Sequence, residues 1–207
     1  MKALRILALF TAFFLAELPG FAEESAHPPW SLTAYTAAYF VPDSSDYFQP
    51  TLTADHDWLH LEARYNYESS KTGSAWIGFN LAFGKTLTAE LTPIVGAVFG
   101  NLTGVAPGFK ATLNFWKLEL YSENEYVIDF ADRSEDFFYT WTELSFSPAK
   151  WFRAGLVLQK TQAYQTELAT QQGLLMGVSY RHLSFTGYVF NPVWDDPFTV
   201  LAAELSF

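Results

Sequence analysis

Cysteine is absent from the 207-residue chain, which excludes disulfides, thiol chemistry and a lipid-modified N-terminal cysteine. Basic residues are scarce: 12 Lys and Arg stand against 22 Asp and Glu, and the net charge is −10. Nucleic-acid binding needs basic surfaces that neutralise phosphates, so we expect no nucleic-acid partner. The chain has only four histidines and no pair at metal-ligand spacing, so we also expect no metal site and no cofactor.

Long apolar runs are missing after the first residues of the chain, so the sequence predicts no transmembrane helix. Residues 1–22 have the features of a secretory signal: Lys2 and Arg5, then the apolar residues 6–16, then a small-residue cleavage site ending at Ala22. The alternative is an uncleaved anchor helix. Cleavage would leave 10 basic and 21 acidic residues, a net charge near −11. We therefore predict a signal peptide at 1–22 and one domain over 23–207.

Residues 58–68 alternate between two kinds of side chain. One set is Leu59, Leu61, Ala63, Tyr65 and Tyr67, and the other is His60, Glu62, Arg64, Asn66 and Glu68. Because successive side chains of a strand point to opposite faces, this segment is predicted to be a strand with one apolar and one charged face. A soluble sandwich contains such strands too, so the number of repeats decides between the two classes.

The alternation recurs and predicts twelve strands of roughly 8–14 residues, where a membrane-spanning strand needs about 9–11. The predicted strands are residues 30–41, 47–54, 58–68, 74–83, 87–99, 108–115, 117–130, 137–146, 151–164, 174–181, 183–190 and 198–207. Five tight turns, near His56, Lys85, Trp116, Pro148 and His182, alternate with longer polar connections. Pro93 inside the fifth strand predicts a bulge or a break there. The fold class is therefore all-β: a single transmembrane antiparallel up-and-down β-barrel of about twelve strands, with ten as the alternative.

The last ten residues alternate back from Phe207 through Leu205, Ala203, Leu201 and Thr199. This pattern resembles the C-terminal strand signal of Gram-negative outer-membrane β-barrel proteins. The resemblance implies a location in the cell outer membrane, contact with outer-membrane lipid and lipopolysaccharide, and insertion by the barrel-insertion machinery through Phe207. We expect a monomer.

The tryptophans are expected to form two aromatic girdles at the membrane interfaces. Trp30, Trp58, Trp116 and Trp151 fall at the tight-turn ends, and Trp76, Trp141 and Trp194 fall toward the other ends.

The charged faces of the strands are predicted to point into the lumen, because charges on the lipid face would cost up to about 2–4 kcal/mol. The inward set is His60, Glu62, Arg64, Glu68, Glu90, Lys110, Glu119, Glu123, Glu125, Asp129, Glu143, Arg153, Arg181 and Glu204. We expect ten of these to line a pore: His60, Glu62, Arg64, Glu90, Lys110, Glu119, Glu123, Glu125, Glu143 and Arg153.

The leading functional expectation is a passive porin-like channel for ions or small polar solutes, with modest cation preference from its excess of carboxylates. Twelve-stranded porins for acidic sugars have arginine-rich lumens, which this chain lacks. The alternative is a structural or surface barrel whose lumen is filled by ion pairs between the glutamates and Arg64, Lys110 and Arg153.

A third possibility is a lipid-modifying enzyme. His182-Leu183-Ser184 is the one triplet that resembles the His-x-Ser of barrel phospholipases and lipid A deacylases. It falls at a tight turn, away from the outer leaflet where those enzymes act, so we expect no enzyme.

Overall fold

The computed structural model describes residues 30–42, 45–160, 170–193 and 196–207. The strands are β1 (Ser31–Phe40), β2 (Tyr47–His56), β3 (Leu59–Tyr65), β4 (Thr72–Phe79), β5 (Leu81–Gly84), β6 (Leu87–Gly100), β7 (Gly104–Phe115), β8 (Leu118–Asp129), β9 (Phe137–Ala149), β10 (Phe152–Lys160), β11 (Gln171–Tyr180), β12 (Leu183–Phe190) and β13 (Phe198–Ser206). A 3-10 turn, Arg133–Glu135, precedes β9. The predicted signal peptide, the end of the predicted ninth strand and Trp194 lie outside the described residues.

The strands form one antiparallel sheet that closes on itself. Strands that are consecutive in sequence pair with each other, except β4 with β5, and β13 returns to pair with β1, where Thr33 lies opposite Ser206. The segments β4 and β5 both pair with β6 in the same register, so they are two parts of one barrel strand. The predicted fold, a closed antiparallel barrel of twelve strands, is confirmed.

The interruption predicted at Pro93 lies in the partner strand instead. β6 runs through Pro93 without a break, and Pro93 pairs with Phe109 of β7. On the other side of β6, β4 ends at Phe79 and β5 begins at Leu81, next to Pro93. Proline has no N–H to donate to this ladder, so the pairing stops there and resumes beyond Asn80.

One end of the barrel, called here the tight-turn end, has five two-residue turns at 57–58, 85–86, 116–117, 150–151 and 181–182. Three of them begin with a left-handed residue: Asp57, Trp116 and Arg181, with φ of 54°, 55° and 54°. The turn predicted near Pro148 begins at Lys150, because β9 continues through Pro148. Arg181 was predicted to face the lumen, which is wrong: the chain reverses at this residue, and its side chain is exposed.

The opposite end is called the long-loop end. Residues 130–136 connect β8 to β9 there, and the N–H and hydroxyl of Ser134 donate to the Asp132 carboxylate at 2.9 and 2.6 Å. The hydrogen bond from the Ser134 hydroxyl, and to a smaller extent that from its N–H, lowers the pKa of Asp132. The carboxylate is therefore held ionised at the tip of an acidic loop.

The outer face of the barrel exposes large apolar side chains on strands all round the ring. Examples, each at least half exposed, are Leu52, Ile77, Phe99, Phe115, Leu156, Met176 and Leu201. Polar side chains interrupt this face at Ser122 and Asn124, and they satisfy each other: Asn124 Nδ2 donates to Ser122 Oγ, which lies 2.9 Å from Thr142 Oγ1. Within the described ranges, no helix has the length and apolar character needed to cross a membrane.

The prediction of two tryptophan girdles is wrong for the second girdle. Trp58, Trp116 and Trp151 are exposed beside the tight turns, as a girdle requires. Trp76 and Trp141 instead lie inside the barrel, 4% and 7% exposed. They share the inward phase of their strands with Ser74 and Glu143, and each indole N–H donates to that neighbour. Position along the strand suggested a girdle, but the alternation decides which way each ring points.

Candidate functional site

Six charged side chains from three strands and one loop meet inside the barrel, and are called here the charge cluster: Glu62, Arg64, Glu68, Lys110, Glu123 and Glu125. β3, β7 and β8 position five of them through the inward phase of the alternation, and Glu68 follows β3. Four carboxylates therefore face two cations. Charges this deeply buried persist only when they are paired and hydrogen-bonded.

Arg64 is the centre of the charge cluster, and its side chain has no exposed surface. Its Nε donates to Glu62 Oε1 at 2.5 Å, and its Nη1 donates to Glu125 Oε2 at 2.9 Å. Nη1 also lies 3.0 Å from Glu123 Oε1. The guanidinium carbon is 4.4 Å from the ring centre of Tyr67 and 4.2 Å from that of Trp76. Arg64 is thus held both by carboxylates and by aromatic faces.

The cluster extends toward the tight-turn end through a chain of polar contacts. Lys110 Nζ donates to Glu62 Oε2 and lies 3.7 Å from Glu123 Oε2. His60 bridges Glu62 Oε2, at 3.1 Å from its Nε2, and Asp55 Oδ1, at 2.8 Å from its Nδ1. Asn80 donates to the same Asp55 oxygen at 2.7 Å. This chain ties β2, β3 and β7 to the interruption between β4 and β5.

Several of these contacts cross the lumen. Counted around the ring through β4, β6, β7 and β8, strand β9 is five positions from β3 in a barrel of twelve, so the two are nearly opposite. The hydroxyl of Tyr67, just after β3, lies 2.7 Å from that of Tyr139 on β9 and donates to Glu123 Oε1 at 2.9 Å. The alternation grouped Tyr67 with the apolar face of its strand, which is wrong: Asn66 is left-handed (φ 57°), and the Tyr67 side chain after it lies inside the barrel. Opposite walls of the barrel are therefore held together by the Tyr67–Tyr139 contact and the charge cluster, called here the brace.

Apolar side chains fill the lumen between this brace and the long-loop end. Phe190 and Phe198 stack with ring centres 4.6 Å apart, and Trp141 meets Phe190 edge-on at 5.7 Å. The same buried cluster includes Trp76, Ile94, Val98, Ala106, Val127, Phe137, Val157, Leu175 and Val200. This half of the barrel interior is a packed hydrophobic core, here called the aromatic layer.

The other half of the lumen holds a cavity of about 310 Å³, called here the vestibule. Its lining residues nearest the tight turns, Thr33, Glu119 and Glu204, are partly exposed, whereas Tyr39 and Tyr139 at its inner end are buried. The vestibule therefore opens at the tight-turn end and is closed by the brace. A cavity of this size falls at the small end of ligand sites, which span ~300–1,000 Å³.

A second ion pair forms part of the vestibule wall. Arg153 Nη1 donates to Glu143 Oε2 at 2.8 Å, and its Nη2 donates to Thr186 Oγ1 at 3.1 Å. Trp141 Nε1 and the Tyr188 hydroxyl donate to the other oxygen of Glu143 at 2.9 and 2.8 Å. The Glu143 carboxylate is therefore saturated by protein donors.

The ten residues predicted to line a pore divide into three groups. Six belong to the charge cluster or touch it: His60, Glu62, Arg64, Lys110, Glu123 and Glu125. Three line the vestibule, where Glu143 and Arg153 pair with each other. Glu119 lines the vestibule with no ion pair in the described residues. Glu90 lies on the inward face of β6 but is exposed near the tight-turn end of the barrel. Whether any of them lines a conducting pore stays a prediction.

The sequence did not indicate the tyrosines and the amides that shape the vestibule, among them Tyr35, Tyr39, Tyr188 and Gln49. For Tyr139 and Trp141 the sequence did contain an indication, because they lie on the same face of their strand as Glu143. For β1 the alternation was too weak to assign, because small and aromatic residues occur on both faces.

The His182-Leu183-Ser184 triplet does not bring its two polar side chains together. Ser184 Oγ donates to Ser179 Oγ at 2.9 Å, and His182 is exposed in a turn. Within the described ranges, no three His, Asp or Glu side chains are arranged to hold a metal ion.

The fold and the site define a closed twelve-stranded antiparallel β-barrel with a braced lumen and a one-sided vestibule. No protein-family profile matches the chain, and no curated protein matches it at a significant level.

Proposed function

We propose that this protein is a structural or surface barrel of the cell outer membrane whose lumen is closed by its own side chains. Closure comes from the brace and the aromatic layer, and it leaves the vestibule open at the tight-turn end. In this orientation the tight turns face the periplasm and the long loops face outward. The protein acts as a monomer that contacts outer-membrane lipid and lipopolysaccharide and is inserted through its C-terminal strand, ending at Phe207.

The distribution of polarity supports the membrane location. The large side chains on the outer face are apolar on nearly every strand, whereas the buried face of β3 and β8 carries acidic and basic side chains. A soluble barrel would expose the charged face and bury the apolar one. In a lipid bilayer the reverse arrangement is favourable, because charges there belong in the lumen.

The hydrogen bond between Tyr67 and Tyr139 is the observation that carries the closed lumen. These residues start from nearly opposite walls, yet their hydroxyls are 2.7 Å apart, so no solute can pass between them. Arg64 and Glu125, from strands four positions apart in the ring, also meet inside the lumen, at 2.9 Å. Arg64, Lys110 and Arg153 each pair with a glutamate. These ion pairs support a lumen filled by side chains.

A passive pore with modest cation preference is the second candidate function. The vestibule favours it, because its carboxylates outnumber its cations and would raise the local concentration of cations. For a pore, however, the Tyr67–Tyr139 contact and the aromatic layer would both have to move. An enzyme has less support, since Ser184 donates to Ser179 rather than to His182.

The proposal is tested by expressing the full chain in a Gram-negative bacterium and separating its membranes on a density gradient. We expect the protein in the outer-membrane fraction, resistant to extraction by urea. Purified from that fraction and placed in liposomes, it should not accelerate swelling in arabinose beyond the rate of empty liposomes. A cytosolic or periplasmic location would contradict the membrane assignment, and rapid swelling would contradict the closed lumen.

A further inference from the structure

We propose that the vestibule is a binding site for a small organic cation carrying one or two ammonium groups. This inference deepens the proposed function, since it assigns a ligand class to the cavity that the closed lumen leaves at one end. The vestibule has the volume for such a ligand, about 310 Å³, and an opening through which it can enter.

Some carboxylates of the vestibule form ion pairs with the protein's own cations, and others do not. Glu62 and Glu123 are paired with Arg64 and Lys110, and Glu143 is paired with Arg153. Both vestibule cations are therefore already engaged. Glu119 and Glu204 make no ion pair or side-chain hydrogen bond within the described part of the chain.

The two unpaired carboxylates lie at the mouth and act on the same space. The lining of the cavity holds five carboxylates, Glu62, Glu119, Glu123, Glu143 and Glu204, against two cations, Lys110 and Arg153. A diffusing cation would gain from both Glu119 and Glu204, whereas an anion would be repelled. The sign of the ligand follows from this imbalance.

Deeper in the vestibule, a buried hydroxyl has no partner. Thr51 lines the cavity and is 8% exposed, and its Oγ1 has no hydrogen-bond partner among the residues that the structure describes. A buried polar atom without a partner destabilises the fold, so a donor supplied by a ligand would be favourable there. An ammonium N–H is such a donor. Thr51 is therefore independent evidence that the cavity accommodates a polar group.

The remaining wall is aromatic, which favours an organic ammonium over a metal ion. Tyr35, Tyr39, Tyr121 and Tyr139 line the cavity with Trp141 and Tyr188. The hydroxyls of Tyr121 and Tyr188 are already donated to Glu123 and Glu143 at 2.7 and 2.8 Å. Aromatic faces attract ammonium groups through cation–π interactions and accept the carbon chain between them. Within the described residues the acidic groups do not form a metal site.

The test is calorimetric titration of the full chain, purified from membranes in detergent, with three probes of equal length: 1,4-diaminobutane, 1,4-butanediol and succinate. We expect binding of the diamine only, weakened by added salt. The double variant Glu119→Gln/Glu204→Gln should weaken diamine binding by at least about tenfold, since each removes a charge-assisted contact. Glu135→Gln, at the long-loop end, is the matched control and should bind as the unsubstituted protein does.

Equal binding of the diol or of succinate would overturn the inference, and so would undiminished binding by the double variant. Absence of diamine binding to protein whose circular dichroism shows a folded barrel would overturn it too. These failures are distinguishable from failure of the proposed function: a protein that causes no liposome swelling but ignores the diamine refutes only the ligand. A protein that binds the diamine and also causes swelling refutes only the closed lumen.

Discussion

Replacing Arg64 with methionine is the perturbation that tests the lumen brace most sharply. Methionine is similar in length and apolar, so it fills much of the space between Tyr67 and Trp76 but supplies no charge. Glu62, Glu123 and Glu125 would then lose their central partner while staying buried. We expect a large loss of stability.

The magnitude follows from the contacts of Arg64. It donates two charge-assisted hydrogen bonds, to Glu62 at 2.5 Å and to Glu125 at 2.9 Å. Each such bond contributes about 1.5–3 kcal/mol, so losing both costs roughly 3–6 kcal/mol. Removing one partner of a buried ion pair costs about 3–5 kcal/mol by direct comparison with other proteins. We therefore expect the free energy of unfolding to fall by about 4 kcal/mol.

The assay is equilibrium unfolding in guanidinium chloride, with the protein in detergent micelles and tryptophan fluorescence as the signal. Arg153→Met is the matched control, because the Arg153 side chain is 29% exposed and pairs with the single carboxylate Glu143. It should cost less than Arg64→Met, about 1–2 kcal/mol, because Glu143 keeps the hydrogen bonds from Trp141 and Tyr188. Adding Glu125→Gln to Arg64→Met should recover part of the loss, since a neutral amide replaces the buried carboxyl that has lost its partner.

A loss below about 1 kcal/mol for Arg64→Met would refute the reasoning, since that is the range of exposed ion pairs. The same holds if Arg153→Met were as costly as Arg64→Met. Either result would mean that water reaches Arg64 and that the brace is not dry.

Two further predictions concern the aromatic side chains. A Cβ at Gly96 would lie 2.5 Å from the Trp76 ring, so Gly96→Ala should lower the free energy of unfolding by about 1–3 kcal/mol in the same titration. A Cβ at Gly187 would meet only Leu201, at 3.6 Å, so Gly187→Ala should change it by less than about 0.5 kcal/mol. Equal effects would contradict the packing of Trp76. In single-tryptophan variants, a quencher attached to the lipid headgroup should quench Trp116 strongly and Trp141 weakly; the reverse order would contradict the membrane orientation.

The strand order and closure of the barrel were predictable from the sequence, because alternation has a fixed physical meaning. Each of the five tight turns was found within a few residues, and β12 has the predicted bounds, Leu183–Phe190. The chain must bury one face of every strand, so a register error would expose the charged face along its whole length. That constraint makes the phase of β3 readable from residues 59–65 alone.

The state of the lumen was not predictable in the same way, because it depends on contacts between strands far apart in sequence. Tyr67 and Tyr139 are 72 residues apart, and the inward turn of Tyr67 depends on one left-handed residue, Asn66. Alternation shows that Arg64 and Glu125 share the interior but not that they meet. Pro93 illustrates the same limit. The sequence shows that proline lacks an N–H donor, but it does not show that the interruption falls between β4 and β5 rather than in β6.

Single-channel recording in a planar bilayer tests the closed lumen most directly. The full chain, purified from the outer-membrane fraction, is added to one side under a potassium chloride gradient, and its insertion is verified by the tryptophan quenching described above. We predict no stepwise current above that of the bare bilayer, because the Tyr67–Tyr139 contact and the aromatic layer block the lumen. Stable, cation-selective steps from the inserted, unsubstituted protein would contradict the closed lumen and favour the passive pore.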